Sequence, residues 1–382
     1  MSEWKKVKLG EICERVTSGG TPKANVSSYY NPPTIPWLKT KEVNYCRITE
    51  TENYISEEGL KNSSAKLISP NSVIIAMYGQ GDTAGRIAIN KIPLATNQAC
   101  CNLTIDKSKA DYEFIYYQLC TLYDKLVSLK AGAAQPNLNA RIIKNLEIIM
   151  PSLPIQHRIA SILSRYDSLI ENYQKQIKLL GEAAQRLYKE WFIDLHFPGH
   201  ENTKIIDGLP EGWEKKKVGD ITPIITGKKD ANFGTPDGEY PFFTCSQEPI
   251  KAPSFSFDCA AVLLAGNGDF NVKLYRGRFE AYQRTYVLSP YIDSHLYLLF
   301  YTISANMTKL AAGSSGSTIK FLTKGMIDGI NLNVPNDEIL RSFNKKVEPI
   351  QSSRESLHSQ LRLLTEARDR LLPKLMSGEI TI

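Results

Sequence analysis

Leu179-Leu180-Gly181-Glu182-Ala183-Ala184-Gln185-Arg186-Leu187 returns 184 residues later as Leu363-Leu364-Thr365-Glu366-Ala367-Arg368-Asp369-Arg370-Leu371. Each run sits in a longer amphipathic stretch. Around the first, apolar or aromatic residues fall at 155, 159, 162, 166, 169, 173, 180, 187 and 191, in alternating steps of four and three with skips. Around the second they fall at 343, 347, 350, 357, 361, 364, 371 and 375, with Arg354 and Arg368 in the skipped places. Such spacing draws one apolar line along a helix and makes that line a helix-packing surface. The seams predict two long helices, over 154–192 and 336–382, that pair with each other in antiparallel fashion. Pro349 lies inside the second and predicts a kink, or a restart with Pro in the first turn.

The repetition extends outward from the helices. The chain opens Trp4-Lys-Lys-Val-Lys-Leu-Gly10-Glu11-Ile12 and opens again as Trp213-Glu-Lys-Lys-Lys-Val-Gly219-Asp220-Ile221, an offset of 209 that holds through Thr17 and Thr226. Between opening and helix, each half carries short apolar runs ended by turn residues. Val73–Tyr78, Ile87–Ile89 and Ala99–Ile105 are strand candidates in the first half, and Val262–Ala265 is one in the second. Helical patches follow at Tyr112–Leu129 and Leu296–Met307. The expected division is a first arm over 1–153, a helix over 154–192, a linker over 193–212, a second arm over 213–335 and a helix over 336–382. The class is α/β, with α+β arms on two long helices in an internal pseudo-two-fold repeat. The offset falls from 209 to 184, so the second arm is the shorter.

Composition narrows the function. The 382 residues are 42% hydrophobic and 23% charged, ordinary for a globular protein. The roughly 18 consecutive apolar residues of a membrane span are missing, and the opening lacks the apolar core of a signal peptide, so a cytoplasmic protein without a membrane partner is expected. The seven cysteines form no Cys-x-x-Cys pair and read as reduced thiols, with no metal site. A net charge of +6 permits a nucleic-acid partner.

Several motifs in register then resemble one family. Trp4–Ile12, Ser18-Gly-Gly-Thr-Pro22, Ile35-Pro-Trp37, Gly81-Asp-Thr-Ala-Gly-Arg-Ile87 and Ala95-Thr-Asn-Gln98 resemble a target recognition domain of type I restriction-modification specificity subunits. Pro151-Ser-Leu-Pro154-Ile-Gln156 resembles the entry to that family's first central helix, with Ile155 where an acidic residue is usual. Gly208-Leu-Pro-Glu-Gly-Trp213 resembles the entry to a second recognition domain, and Glu366–Glu379 the end of the second helix. The resemblance implies a non-catalytic subunit. Each recognition domain would read one half of a bipartite, asymmetric site on double-stranded DNA. The helices would set the spacer and dock methyltransferase subunits, two as a rule, which a restriction subunit joins. The subunit itself would hold no cofactor; S-adenosylmethionine, and ATP with magnesium for cleavage, would belong to the partners. A methylation-only system and a coiled-coil adaptor without DNA readout are the alternatives.

Readout needs donors and acceptors on loops that reach base edges, and cations that reach phosphates. In the first arm these are Lys39, Gln80, Arg86, Asn97, Gln98, Gln135 and Asn137; in the second, Lys228, Asn267, Lys273, Gln283, Arg284, Ser315, Ser317 and Lys320. Gln98 and Gln283 occupy equivalent places in the repeat. Each could equally be a surface loop residue that touches no DNA. Partner docking falls to Trp191, Phe192, Leu364, Leu371 and Leu375, on stripes that are packing surfaces first. Three patterns are set aside. Asn31-Pro-Pro33 resembles the Asn-Pro-Pro-aromatic motif of adenine methyltransferases, but Thr34 replaces the aromatic residue and no cofactor loop precedes it. His196 and His200 are separated by Pro198 and Gly199, which break the helix that would align them. Gly227-Lys-Lys lacks the upstream glycine of a phosphate loop.

Overall fold

A computed structural model describes residues 4–130, 137–314 and 320–382. The chain divides into two compact units, Met1–Asn172 with Gln360–Ile382, and Tyr173–Ser359. Each unit therefore holds one arm together with a part of each long helix.

In the first unit, Lys5–Lys8 pairs antiparallel with Glu147–Met150, Lys5 opposite Met150. A five-stranded sheet follows, in the order Cys13–Ser18, Cys100–Ile105, Val73–Ala76, Ile87–Asn90, Cys46–Ile48. Its last pair is parallel. The run Val73-Ile-Ile-Ala is apolar throughout because both faces are covered. Val73 and Ile75 join the core shared with helix Tyr112–Thr121 and the long helices, while Ile74 and Ala76 join a second core on the opposite face. A further sheet, in the order Tyr54–Ile55, Ile35–Leu38, Leu94–Thr96, Leu67–Ile68, packs around Trp37.

The second unit repeats the frame residue by residue. Glu214–Lys217 pairs with Asn331–Val334, Glu214 opposite Val334, which is the first ribbon moved by the two sequence offsets. Its sheet runs Ile224–Thr226, Thr285–Leu288, Phe257–Ala265, Val272–Ala281, Tyr240–Phe243, Ile250–Ala252, and the Val272–Ala281/Tyr240–Phe243 pair is again parallel. Val262 and Leu264 face the helical core, Ala261 and Leu263 the other side. Among the described residues this unit has no counterpart of the Trp37 sheet, which accounts for the longer first arm.

Helix starts are set by short polar side chains. Asp111 accepts from the amides of Glu113 (2.8 Å) and Phe114 (3.0 Å). Asn139 caps Ala140–Lys144, and Thr323 caps Lys324–Asp328 in the matching place. The patch expected at Tyr112–Leu129 is two helices, Tyr112–Thr121 and Tyr123–Ser128, and the one expected to end at Met307 runs Leu296–Gly313. The stretch between arms is structured too, with a ribbon of Ile205–Ile206 and Leu209–Pro210.

The first long helix spans Leu153–Tyr188 and closes in a wider π turn over Lys189–Ile193. The second spans Asp337–Ser377 and is continuous through Pro349, so no restart occurs there. The cost of the missing N–H is one lost intrahelical bond on an exposed face. Within the first unit Asp167 meets Arg368, and Ile159 packs with Leu375 and Met376, so the two segments run antiparallel there. Within the second, Gly181 meets Arg354 and Trp191 meets Phe343, again antiparallel.

The expected Ile159 and Trp191 are buried, but between them the first seam lies one residue later than its apolar spacing predicts. The buried line is Gln156, Ile159, Ala160, Leu163, Asp167, Ile170, Ile177, Ala184, Tyr188 and Trp191, whereas Leu169 is 42% exposed. Glutamine, aspartate and alanine hold places on the true line, so a count of apolar residues follows the flank instead. Gly181 also lies on it, with the Arg354 guanidinium 3.4 Å from where a Cβ would stand.

Candidate nucleic-acid interface

In both arms one edge of the main sheet gathers turn segments that are far apart in sequence. In the second arm these are Thr226–Asp230, Thr244–Ser246, Gly266–Lys273, Tyr282–Tyr286 and Lys320–Lys324. Backbone bonds knit them: Gly227 N to Thr285 O (3.1 Å), Gly266 N to Arg284 O (2.8 Å), Gln283 N to Lys229 O (2.9 Å) and Leu322 N to Gly266 O (2.8 Å). Asn267 bridges to Phe321. Between them lies a depression of about 470 Å³ lined by Thr226, Gln283, Arg284, Tyr286, Phe321 and Lys324, among others. In the first arm the equivalent bonds are Gly19 N to Cys100 O (3.3 Å), Met77 N to Ala99 O (2.7 Å) and Leu138 N to Met77 O (3.0 Å). Gly19 and Gly227 have to be glycine for the same reason: a Cβ would run into the carbonyl of Thr96 or of Ala281.

The expected contact residues separate into two groups on this frame. Gln98, Gln283, Arg284, Lys228 and Lys320 are exposed, and Asn267 is half-buried at the same edge. Gln80 is exposed on the Tyr78–Arg86 turn, where its carbonyl accepts from Thr83 Oγ1 (2.6 Å). Asn137 is half-buried. The others are occupied within the fold. Asn97 donates its amide to Leu38 O (2.9 Å) and accepts from the Cys100 thiol, which shapes the turn that presents Gln98. Lys39 reaches Asn53 Oδ1 (3.0 Å) and lies 5.0 Å from the Trp37 ring centroid. Lys273 donates to Ser246 O (2.7 Å) and to Asn271, and its burial pulls the ammonium below its ordinary pKa. Arg86 pairs with Asp82 at 2.5 Å, a bond that raises the arginine and lowers the carboxylate, and it would have to exchange that partner for a phosphate. Gln135, Ser315 and Ser317 lie outside the described residues.

Two residues that the sequence reading passed over complete the edge. Thr21 Oγ1 donates to Gln98 Oε1, and Gln283 Nε2 donates to Asp230 Oδ1 (2.6 Å). Thr21 and Asp230 lie in the same loop of the repeat, two residues after Gly19 and three after Gly227, and the carbonyls of Ala99 and Arg284 take equivalent backbone bonds, so the two glutamines are structural equivalents. The repeat in sequence points to the loop, not to the residue.

The arms are fixed to the helices by a second repeated device. Tyr117 and Tyr301, 184 apart, come from equivalent arm helices and reach equivalent long-helix residues, Asp167 and Gln351. In the first unit Asp167 accepts from Tyr117 OH (2.5 Å), Arg47 (2.7 Å) and Arg368 (2.8 Å). Burial alone would raise the Asp167 carboxyl, but hydrogen bonds from Tyr117, Arg368 and Arg47 outweigh it and hold the group below the usual aspartate range. In the second unit the anchor is neutral at its centre: Tyr301 meets Gln351, which accepts from Arg354 (3.0 Å).

The docking candidates are less available than their spacing suggests. Trp191 and Phe192 are buried in the second unit's core and Leu375 in the first unit's, because a seam residue spends its apolar surface inside the chain. Leu364 and Leu371 are half-buried. Exposed apolar surface on the helices comes instead from Leu169, Leu179, Ile193 and Leu363. His196 and His200 do approach, at 5.2 Å between ring centroids, across a turn in which His200 Nδ1 meets Phe197 O (2.9 Å). No described group of three or more His, Cys, Asp or Glu side chains is arranged to hold a metal. No described helix is long and apolar enough to cross a membrane.

A duplicated α+β frame that presents unlike polar loops from like positions defines a two-headed recognition protein. The family model for the type I restriction modification DNA specificity domain matches residues 1–180 and 210–353. The chain belongs to this family, whose members select DNA sequence and leave catalysis to other subunits. It is 27% identical over 416 residues to the type I restriction enzyme MjaIX specificity subunit of Methanocaldococcus jannaschii, covering 100% of this chain and 94% of that one. It is 37% identical over 177 residues to the EcoDI specificity subunit of Escherichia coli, covering 45% of this chain and 40% of that one. Its fold is similar to that of the type I restriction-modification S subunit from M. genitalium, with a TM-score of 0.68 at 17% identity over 98% and 96% of the two chains.

Proposed function

We propose that this chain is the sequence-reading subunit of a type I restriction-modification complex, in which each arm reads one half of a bipartite site on double-stranded DNA. The observation that carries the reading is the pair of sheet edges. Their backbone bonding is equivalent, while their exposed side chains differ: Thr21 and Gln98 in one, and Asp230, Gln283, Arg284 and Lys320 in the other. Equal frames with unlike polar tips suit two unlike half-sites. Cations on the same edge (Lys228, Arg284, Lys320, Lys324) supply phosphate contacts that position the reader, and the glutamines supply base-edge contacts that select. Joining two weak readers in one chain raises affinity without new contacts.

The proposed domain boundaries are those of the sequence, with arms over 1–153 and 213–335. The long helices fix the unread spacer, since a rod tens of Å long spans roughly one turn of DNA. They also dock the methyltransferase subunits, two per chain, and a restriction subunit joins that core in the cytoplasm. S-adenosylmethionine, and ATP with magnesium, are held by those partners. The test is to assemble the complex and to map the DNA it selects and methylates. Two short half-sites at a fixed gap support the reading. An absence of sequence preference would leave a protein-binding adaptor, and methyl transfer to DNA by the isolated chain would make it an enzyme; either result sinks the proposal.

A further inference from the structure

We propose that Asp230 is a positioning residue that fixes the amide polarity of Gln283, whereas Thr21 leaves that of the equivalent Gln98 unset, so that the second arm alone has its glutamine committed to one hydrogen-bonding edge. This rests on the reading of both arms as DNA readers. A glutamine amide has one acceptor end and one donor end, and whichever end a neighbour engages leaves the other for a ligand. Asp230, as a carboxylate, can only accept. It takes a hydrogen from Gln283 Nε2 at 2.6 Å, so the Oε1 acceptor and the remaining N–H of that exposed side chain are left to a base. That pair matches an edge bearing an exocyclic amino group: adenine N6 with N7, or cytosine N4. Thr21 Oγ1 pairs with Gln98 Oε1, but a hydroxyl donates or accepts as its partner requires, so it accommodates either end of that amide and leaves Gln98 free to meet either kind of base edge.

The equivalence gives the inference its force. Equivalent backbone bonds flank Gln98 and Gln283, with Gln283 N bonded in addition to Lys229 O, and their partners come from the same loop of the repeat. The chemical difference between the two devices lies in one residue of each pair, a hydroxyl against a carboxylate. One substitution should therefore remove a fixed edge preference from one arm, or add one to the other, without moving the backbone.

The experiment uses the complex assembled with its methyltransferase subunits and a randomised duplex library, read by sequencing the selected DNA. With Asp230→Thr, preference at one base pair of one half-site should move away from the amino-bearing edge, by about tenfold relative to its rival. With Thr21→Asp, one base pair of the other half-site should move toward such an edge. In each case the untouched half-site reports that the complex is intact. An unchanged motif with both variants overturns the proposal. If Gln98→Ala and Gln283→Ala also leave the motif unchanged, base reading by the glutamines fails as well; if they alter it, only the polarity device fails. Should Asp230→Thr abolish recognition of its half-site, Asp230→Asn decides. Its amide can face Gln283 either way, so that base pair should become relaxed, and strict retention of the original base would overturn the proposal.

Discussion

Substituting Asp167 by alanine should loosen the first arm from the helices that carry it. The carboxylate is 5% exposed and accepts three hydrogen bonds, from Tyr117, Arg47 and Arg368, drawn from the arm helix, an edge strand and the second long helix. Removing it strands the Arg47 guanidinium, whose side chain is 7% exposed and whose other carboxylates, Glu113 and Glu171, lie at 3.8 and 3.5 Å. Breaking a buried pair by deleting one partner costs about 3–5 kcal/mol. For a unit of this size that corresponds to a fall in melting temperature of roughly 10 °C. Arg368→Ala leaves Asp167 two of its donors and should cost less, about 1.5–3 kcal/mol. The two losses should not add, because they share one network. Hydrogen exchange read by mass spectrometry localises the effect: protection should fall across Tyr112–Thr121 and hold across its equivalent, Leu296–Gly313. A loss below about 1 kcal/mol, the worth of an exposed ion pair, would refute the argument, as would equal loosening of both helices.

The same anchor predicts a pH dependence. A carboxylate held below its unfolded pKa contributes stability that is fully present above that value and is lost as pH falls through the folded one. The first unit should therefore weaken as pH drops below about 4, and urea midpoints for Asp167→Asn should show a shallower acid slope than the parent. Gln351, the equivalent residue of the second unit, does not titrate and makes no such contribution. Gly19→Ala drives a Cβ into the Thr96 carbonyl beside the Gln98 turn, so binding to duplexes carrying only one half-site should fall at least tenfold for one half-site and hold for the other. Gly181→Ala places a methyl group in ordinary contact with Arg354. It should be neutral or raise stability by about 0.5–1 kcal/mol, whereas Gly181→Leu should displace Arg354 and lower the melting temperature.

Much of the frame was legible because it is written twice. Two offsets, 209 and 184, carry the ribbons Lys5–Met150 and Glu214–Val334 onto each other in exact register. The strands around Val73 and Val262 were legible as apolar runs, and their parity explains why they are apolar throughout. The first seam was misplaced by one residue over most of its length because Gln156, Asp167 and Ala184 occupy it, and their burial depends on partners elsewhere in the chain. Trp191 and Phe192 looked like docking residues for the converse reason, since apolarity does not say which surface it covers. At the candidate interface Gln98 and Gln283 stood out as turn residues. Thr21 and Asp230 did not, because a hydrogen bond across 77 or 53 residues leaves no local pattern.

The central claim is that two independent readers share one chain. Its most direct test is to replace residues 1–150 with the first arm of another family member and to map the methylated sequence produced by the assembled complex. The account predicts a bipartite motif in which one half-site is new, while the other half-site and the gap are unchanged. A motif altered in both halves, or in neither, would contradict it.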